Sequence, residues 1–386
     1  MEVLHDTYKD TKIGRIPKDW ELLSVEKCIL KKKFSVGKLP KKDYFKEGRF
    51  PIIDQSKTFI IGYSSHSELL YNGNLPAIIY GDHTNHVKYI SFPFICGAGG
   101  VKIIQPLDEL DNKFVYYSIL YRKPQSEGYK RHFSILKEKY LCIPPLPEQQ
   151  KIAAILSTVD EQISATDKII KKSKELKKGL MQKLFSEGLG HTEFKDTKIG
   201  RIPKDWKLVK IGEVTKIKVG RDLKEDSFSE IKTETHKYPV FSNTVSNNGF
   251  YGGYYNFAEH IGRSLTIVGR GVGIGTSFSR DGGYGAIGRL LVLFPNDDVN
   301  EIFMSNYVNH KMTIHYEDGG IPQLTGDKIS KYLVVKPNLN EQIKIAAILS
   351  EADAKIEKEQ TQKAHLEQLK KGLMQQLLTG KKRVKI

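Results

Sequence analysis

The sequence predicts an α+β protein in which two mixed α/β domains are separated by a pair of long antiparallel α-helices, paired as a coiled coil with internal pseudo-two-fold symmetry. The twelve residues KDTKIGRIPKDW at 9–20 recur unchanged at 195–206, and a long helical segment at 148–185 recurs at 341–378. Short apolar runs bounded by turn residues, typical of strands, lie between these repeats. The chain therefore contains one plan twice: motif, globular segment, helix.

The repeated helices are long and amphipathic. EQQKIAAILSTVDEQI at 148–163 matches EQIKIAAILSEADAKI at 341–356 in 11 of 16 positions, and the apolar residues recur at steps of mostly three, four or seven. A helix of this length, roughly 57 Å, cannot bury its apolar stripe alone. We therefore expect each helix to cover the other through the following residues: Ile152, Leu156, Val159, Ile163, Ile170, Leu176, Leu180 and Leu184 on the first, and Ile345, Leu349, Ala352, Ile356, Leu366, Leu369, Leu373 and Leu377 on the second.

The ends of both helices are marked in the sequence. Three prolines precede Glu148, and Asn338 stands three residues before Glu341, which indicates a variant of the capping box. Glycines end both helices. Gly179 and Gly372 lie at equivalent points inside them, which indicates either a close approach of the two helices or a kink.

The two globular segments resemble each other far less than the repeats do. Strands are expected in PIIDQ, LPAIIYGD and VKIIQPL of the first segment and in SLTIVGRG, RLLVLFPN and YLVVKPN of the second. Helices are expected near 113–122 and 300–312. The predicted division is 1–147 for the first globular domain with its motif, 148–190 for the first helix, 191–340 for the second domain, and 341–386 for the second helix with a basic tail.

Composition narrows the functional class. The net charge is +16 and the pI is about 9.4, which favours a polyanionic partner, nucleic acid first; a merely soluble basic protein is the alternative. No apolar run is long enough for a membrane span, and the N-terminus lacks an apolar signal core. The three widely spaced cysteines fit a reducing compartment, so a cytoplasmic location is expected.

Catalytic signatures are missing from the sequence. It contains no G-x-x-x-x-G-K-[ST] phosphate loop and no N-P-P-Y or D-P-P-Y, and the alternating glycines at 269–275 indicate a tight loop between strands better than a dinucleotide site. The acid-x-Lys triplets of a nuclease occur only as chance would place them in a lysine-rich chain. The loop GDHTNH at 81–86 lacks a fourth ligand and makes a poor metal site. We expect no catalytic residue, metal or cofactor.

The remaining polar pattern suits DNA binding. Lysine and arginine neutralise phosphates, arginine pairs with guanine, and asparagine pairs with adenine. For any single residue a solvated surface charge is the alternative. The candidate DNA-binding residues are Lys38, Lys41, Lys42, Arg131, His132, Ser242, Asn243, Asn247, Asn248, Arg263, Arg270 and Arg289.

The chain as a whole resembles the specificity (S) subunit of type I restriction-modification enzymes. The resemblance rests on the G-R-I-P-K-D-W motifs at 14–20 and 200–206, the E-Q-x-x-I-A-x-I-L helix starts, and the L-K-K-G-L-M-Q segments at 176–182 and 369–375. The segments GDHT at 81–84 and SNTVSNNG at 242–249 are similar to segments of such recognition domains. This similarity adds Asp82, His83 and Thr84 to the candidates for DNA contact, and the polar loop that contains them adds Asn85.

The resemblance implies a non-catalytic subunit. Each globular domain would be a target-recognition domain that reads one half of a bipartite double-stranded DNA target. The paired helices would set the spacing of the half-sites and dock two methyltransferase (M) subunits, with restriction/translocase (R) subunits joining through the complex. Two alternatives remain open: a stand-alone DNA nuclease or methyltransferase, and a coiled-coil scaffold that reads no sequence.

Overall fold

The computed structural model describes residues 7–31, 38–97, 99–125, 128, 130–312 and 323–385. The chain divides into two compact units, and each long helix contributes to both. Unit 1 consists of residues 1–167 and 361–386, and unit 2 consists of residues 168–360. Over the described ranges, no helix is long and apolar enough to cross a membrane.

Unit 1 combines short strands with α-helices and includes a part of each long helix. Its strands are β1 (Tyr8–Thr11), β2 (Gly14–Pro17), β3 (Glu21–Ser24), β4 (Lys38–Leu39), β5 (Phe50–Ile53), β6 (Gly62–Ser64), β7 (Ala77–Gly81), β8 (Val87–Ile90), β9 (Ile95–Gly97), β10 (Val101–Ile104) and β11 (Tyr140–Ile143). Its helices are α1 (Val25–Cys28), α2 (Asn112–Arg122), α3 (Phe133–Lys137) and the first part of α4 (Leu146–Glu187). One sheet has the order β10-β7-β8 and another the order β4-β9-β5-β6.

Unit 2 repeats this plan with different loops. Its strands are β12 (Phe194–Thr197), β13 (Gly200–Pro203), β14 (Lys207–Lys210), β15 (Thr215–Val219), β16 (Phe228–Ser229), β17 (Tyr238–Phe241), β18 (Phe250–Tyr255), β19 (His260–Ile261), β20 (Ser264–Ile267), β21 (Ser277–Arg280), β22 (Gly283–Ala286), β23 (Leu291–Pro295) and β24 (Leu333–Lys336). Its helices are α5 (Ile211–Val214), α6 (Glu301–Lys311), α7 (Gly326–Ser330), the first part of α8 (Leu339–Leu377) and the second part of α4. Its two larger sheets have the orders β15-β23-β20-β21 and β16-β18-β17-β22-β19.

The long helices pair antiparallel within each unit. In unit 1, Asp160 Oδ1 lies 2.6 Å from Lys370 Nζ, and Asp167 Oδ1, further along α4, lies 2.7 Å from Lys363 Nζ, earlier on α8. In unit 2, Lys177 pairs with Asp353 at 2.6 Å. Partners therefore advance in opposite directions along the two helices. The predicted α+β class with paired antiparallel helices is confirmed.

The apolar seam explains why the helices pair. Ile152 and Leu156 share a buried core with Leu377, and Leu184 shares one with Ile345 and Leu349. The remaining predicted seam residues are distributed as follows: Val159, Ile170 and Ile356 are buried, and Ile163, Leu180, Ala352, Leu366 and Leu373 are half-buried.

Two predicted seam residues are corrected by the structure. Leu176 is 64% exposed and its counterpart Leu369 is 49% exposed. The reason is helical phase, because a residue seven positions after Ile170, about two turns, returns to the seam, whereas one six positions after it does not. That seventh position is Lys177, whose ammonium reaches Asp353. An ion pair therefore replaces the expected leucine contact.

The helix ends follow the sequence signals, with one shift. Both helices begin two residues earlier than expected, at Leu146 and Leu339. In the first helix, the Glu148 amide donates to the Pro145 carbonyl at 2.9 Å, so Pro147 lies in the first turn. Proline costs nothing there, because a first-turn amide has no helical partner. The Asn338 cap is confirmed, since its Oδ1 accepts from the Glu341 amide at 2.9 Å.

The equivalent glycines inside the two helices do not mark a close approach. A Cβ built on either Gly179 or Gly372 would meet no atom within 4 Å. Both residues lie on exposed helix surface.

Candidate nucleic-acid interface

Each unit presents a loop from the same structural position. In unit 1, β7 and β8 form an antiparallel hairpin whose last pair is Tyr80 with Val87, leaving the loop 81–86. In unit 2, β20 and β21 form the matching hairpin, closed by Ile267 with Ser277, leaving the loop 268–276. The first loop is polar and histidine-rich, whereas the second is Val-Gly-Arg-Gly-Val-Gly-Ile-Gly-Thr. The two units therefore share a scaffold and differ in the loop that it carries.

An amide side chain anchors each hairpin loop. Gln55, which follows β5, accepts from the His83 amide through Oε1 at 3.1 Å. In unit 2, Asn243, which follows β17, accepts from the Gly269 amide at 2.7 Å and also donates to the Gly288 carbonyl. The sequence alone does not point to Gln55, because its role depends on a contact with a residue 28 positions away.

Parallel pairing places further loops at the same edge of the sheet. In unit 1, β4 and β5 both run parallel to β9, so the segments that follow these strands meet at one edge. Those segments carry Lys41 with Lys42, which are exposed, then Gln55, and then Gly99 with Gly100. For the candidate Lys38, the structure describes the backbone within β4 only.

The buried polar groups of the unit 1 loop stabilise its conformation. The Asp82 carboxylate accepts from the Phe133 amide at 3.0 Å and lies 3.7 Å from Lys102 Nζ. Asn85, at a positive φ of 60°, accepts a hydrogen bond from the Tyr80 hydroxyl and donates to the Pro124 carbonyl. Both candidates are at most 5% exposed. Their contact with bases stays a prediction.

The other unit 1 candidates surround these anchors. The Thr84 hydroxyl donates to the Gln55 carbonyl, and the buried His132 donates its amide to the Asp82 carbonyl at 2.8 Å. His83 is half-buried and Arg131 is exposed. Lys41, Lys42 and Arg131 are exposed cations, and their contact with phosphate stays a prediction.

In unit 2 a half-buried arginine supports the asparagine-bearing turn at 247–248. The Arg280 guanidinium lies 3.6 Å from the centroid of the Phe241 ring, and its Nη2 donates to the Asn248 carbonyl at 2.5 Å. Burial lowers the pKa of Arg280 to about 10, so this side chain remains charged at neutral pH. Asn247 and Asn248 adopt φ values of 47° and 52° and are exposed. The amide side chains of this turn are therefore presented outward from a fixed backbone.

The hairpin loop of unit 2 is held beside that turn. Arg270 forms a backbone bridge with Gln323, and the Leu324 amide donates to the Gly269 carbonyl at 2.7 Å. A Cβ on Gly288 would lie 3.6 Å from Arg270 Nη2 and 3.8 Å from Asn243 Nδ2. The structure thus brings together most unit 2 candidates: the half-buried Ser242 and Asn243, with the exposed Asn247, Asn248, Arg270 and Arg289.

Arg263 is not part of this group. It immediately precedes β20, at the opposite end of that strand from the loop 268–276, and its guanidinium lies 3.6 Å from Glu301. Charge alone suggested this residue, and strand direction separates it from the others.

A buried carboxylate ties the repeated motif to the helix in each unit. Glu148, which is fully buried, accepts from the Trp20 indole at 3.0 Å and from Arg383 at 2.8 Å through each carboxylate oxygen. Glu341 accepts from the Trp206 indole at 3.0 Å and lies 2.9 Å from His191 Nε2. The shared indole–glutamate bond explains why the motif and the start of the helix recur together.

Comparison with known proteins agrees with this duplication. A family model described as the type I restriction modification DNA specificity domain matches residues 17–175 and 203–368. The MjaVIII type I restriction enzyme specificity subunit of Methanocaldococcus jannaschii is 28% identical over 418 residues, covering 98% of this chain and 97% of that protein. A putative MjaX specificity subunit from the same organism is 28% identical over 422 residues, with the same coverage.

A solved structure shows the same fold. The S subunit of a type I restriction-modification system from M. genitalium superposes with a TM-score of 0.66 at 18% identity, and the alignment covers 98% of each chain. The matched family regions span most of the sequence, one in each repeat. The chain therefore belongs to the type I restriction-modification DNA specificity family.

Proposed function

We propose that this chain is the DNA sequence-specificity subunit of a type I restriction-modification complex, and that each globular domain reads one half of a bipartite DNA target. The observation that carries the proposal is the pair of equivalent hairpins with unlike loops, 81–86 and 268–276, each fixed by an amide side chain at the same position. A shared scaffold with different loop chemistry suits two readers of different sequences. The domains are residues 1–147 and 191–340.

The exposed polar groups are suited to double-stranded DNA. Lys41, Lys42 and Arg131 in the first domain, and Arg270 and Arg289 in the second, offer cations at the edge where the loops meet. Cations supply affinity that falls with salt, whereas Arg270 and the turn at 247–248 carry groups able to discriminate bases. The net charge of +16 supports the same partner.

The paired helices set the half-site spacing and dock two methyltransferase subunits. The equivalent exposed residues Leu176 with Gly179, and Leu369 with Gly372, support this role. Each pair places an apolar side chain one turn from a residue without a Cβ, so a partner helix can approach closely there. Because the two sites are equivalent, two copies of one partner fit, and restriction subunits join through the complex.

The chain itself is a recognition subunit without catalytic residues, and it acts in the cytoplasm. Its relatives are named specificity subunits. In the described ranges, no group of three or more His, Cys, Asp or Glu residues is arranged to hold a metal ion.

A domain exchange tests the proposal. Residues 21–147 are replaced by the corresponding segment of another family member, and methylated positions are mapped in DNA from cells that express the hybrid with its methyltransferase. One half of the target should change while the other half and the spacing persist. A change in both halves would contradict independent reading, and methylation without sequence preference would favour a scaffold.

A further inference from the structure

Val272 is the most exposed of the large apolar side chains in the described ranges, at 87%. It lies at the tip of the loop 268–276, between Gly271 and Gly273, which adopt φ values of 83° and 84°. A single exposed apolar residue is ordinary on a protein surface. Two others, Ile231 at 73% and Ile261 at 72%, lie away from this loop. Val272 differs from these residues in the conformation of its loop and in the residues that surround it.

The loop that carries Val272 is fixed on several sides. Its closing residues bond to each other, with the Val268 amide donating to the Thr276 carbonyl at 2.9 Å and the Gly275 amide donating to Val268 at 2.8 Å. Asn243 and Leu324 hold Gly269 from outside the loop. A Cβ on Gly273 would lie 2.4 Å from Val245 Cγ1, so the asparagine-bearing turn lies directly against the tip. An apolar group on so constrained a backbone is presented at low entropic cost.

Apart from Val245, the surroundings of the tip are cationic and polar. Arg270 is two residues from Val272, and Arg289 and Asn247 are exposed on the adjoining loops. The ligand that complements this surface is a polyanion that also presents an apolar group to Val272. The loop extends from the end of β20 and β21, at the edge of a four-stranded sheet in which β20 also pairs with β23. The end of a hairpin fits the major groove of B-DNA, about 12 Å wide, better than the minor groove of about 6 Å.

We propose that Val272 is a specificity-determining residue that contacts the 5-methyl group of a thymine in the major groove of the half-site read by the second domain. The thymine methyl is the apolar feature that base pairs present in that groove. This inference rests on the proposed function. The inference extends the proposed function because it assigns one base preference to one side chain.

The experiment selects binding sites from randomised duplex libraries, prepared either with thymine or with uracil, which lacks the methyl group. The full chain is used in complex with its methyltransferase partner. The wild-type chain should enrich a thymine at one position of one half-site, and this preference should vanish in the uracil library. V272A should lose the same preference in the thymine library, with affinity for that site reduced about fourfold to fifteenfold, as expected for one or two buried methyl-sized groups. The control I261A should select the same sites as wild type.

The outcomes separate the two ideas. Enrichment that is unchanged by V272A, or that is equal in thymine and uracil libraries, overturns the inference and leaves the proposed function intact. If V272A reduces the affinity equally in both libraries, Val272 acts as a wedge between bases and does not contact a thymine methyl group. This result also overturns the inference. If the wild-type chain enriches no sequence, the proposed function itself fails.

Discussion

The bond between the C-terminal segment and the first helix gives the sharpest stability prediction. Arg383 donates two hydrogen bonds of 2.8 Å to the buried Glu148 carboxylate and two of 2.8 Å to Asp19. Bonding to Glu148 and Asp19 raises the pKa of Arg383 above its ordinary value. The substitution Arg383→Met keeps the apolar stem and removes all four bonds. Glu148 then retains the Trp20 indole and the Val384 amide, which donates at 3.4 Å, but loses its bonded cation.

The magnitude follows from burial. Removing one partner of a fully buried ion pair costs about 3 to 5 kcal/mol, but the Arg383 side chain is 40% exposed, so solvent offsets part of the loss. We therefore expect unit 1 to lose about 2 to 3 kcal/mol of unfolding free energy. Amide exchange in the hairpin of β1 and β2 should accelerate accordingly, because the Trp20 that follows this hairpin bonds to the same carboxylate.

Two comparisons make the test decisive. Lys381→Met removes a neighbouring exposed cation and should change stability by less than about 0.5 kcal/mol. The double variant with Glu148→Gln should be more stable than Arg383→Met alone, because the buried charge is then removed as well. Equal stability of Arg383→Met and Lys381→Met by calorimetry and amide exchange would refute the reasoning.

The remaining predictions concern pH and assembly. His260 is buried against Tyr284 and Phe294 with neither ring nitrogen bonded in the described structure, and burial lowers its pKa from 6.5. As the pH falls below about 6.5, the unfolded chain binds a proton at His260 more readily than the folded chain, so unit 2 should lose stability on acidification. In urea titrations at pH 5 and pH 7, His260→Leu should reduce the dependence of the unfolding free energy on pH. The same pH dependence in wild type and variant would contradict this prediction. Leu176→Lys should leave folding unchanged within about 0.5 kcal/mol but reduce the methyltransferase copies bound from two to one, as counted by native mass spectrometry; two retained copies would exclude this docking site.

The long helices were the most predictable part of the fold. Their apolar periodicity, the Asn338 cap and the terminating glycines are local features, and the structure contains all of them. The strands expected in PIIDQ, LPAIIYGD and VKIIQPL are confirmed as β5, β7 and β10, since short apolar runs between turn residues leave few alternatives. The helical phase, which decides which residues face the other helix, was harder to predict. Leu176 matched the apolar pattern, yet the seam position belongs to Lys177, which only its distant partner Asp353 could reveal.

The candidate interface was less predictable, because its geometry depends on contacts between distant residues. The polar loop at 81–86 is evident from the sequence, but the sequence does not show that the side chains of Asp82 and Asn85 form hydrogen bonds that stabilise this loop. Arg263 carried the same signal as Arg270, and only strand direction separates them. Charge and amide content locate the loops, whereas strand pairing decides which side chains share a surface.

The most direct measurement of the central claim lengthens the helix pair. Seven residues with the same apolar pattern are inserted after Asp167 in α4 and after Gln360 in α8, where the chain passes between the two units; the ion pairs inside each unit are thereby kept. Two added turns lengthen the pair by about 10 Å, close to three base pairs of DNA. Methylation mapping should then return both half-sites unchanged with the gap between them wider by about three base pairs. An unaltered gap, with both half-sites still recognised, would contradict the proposal that these helices set the distance between the two readers.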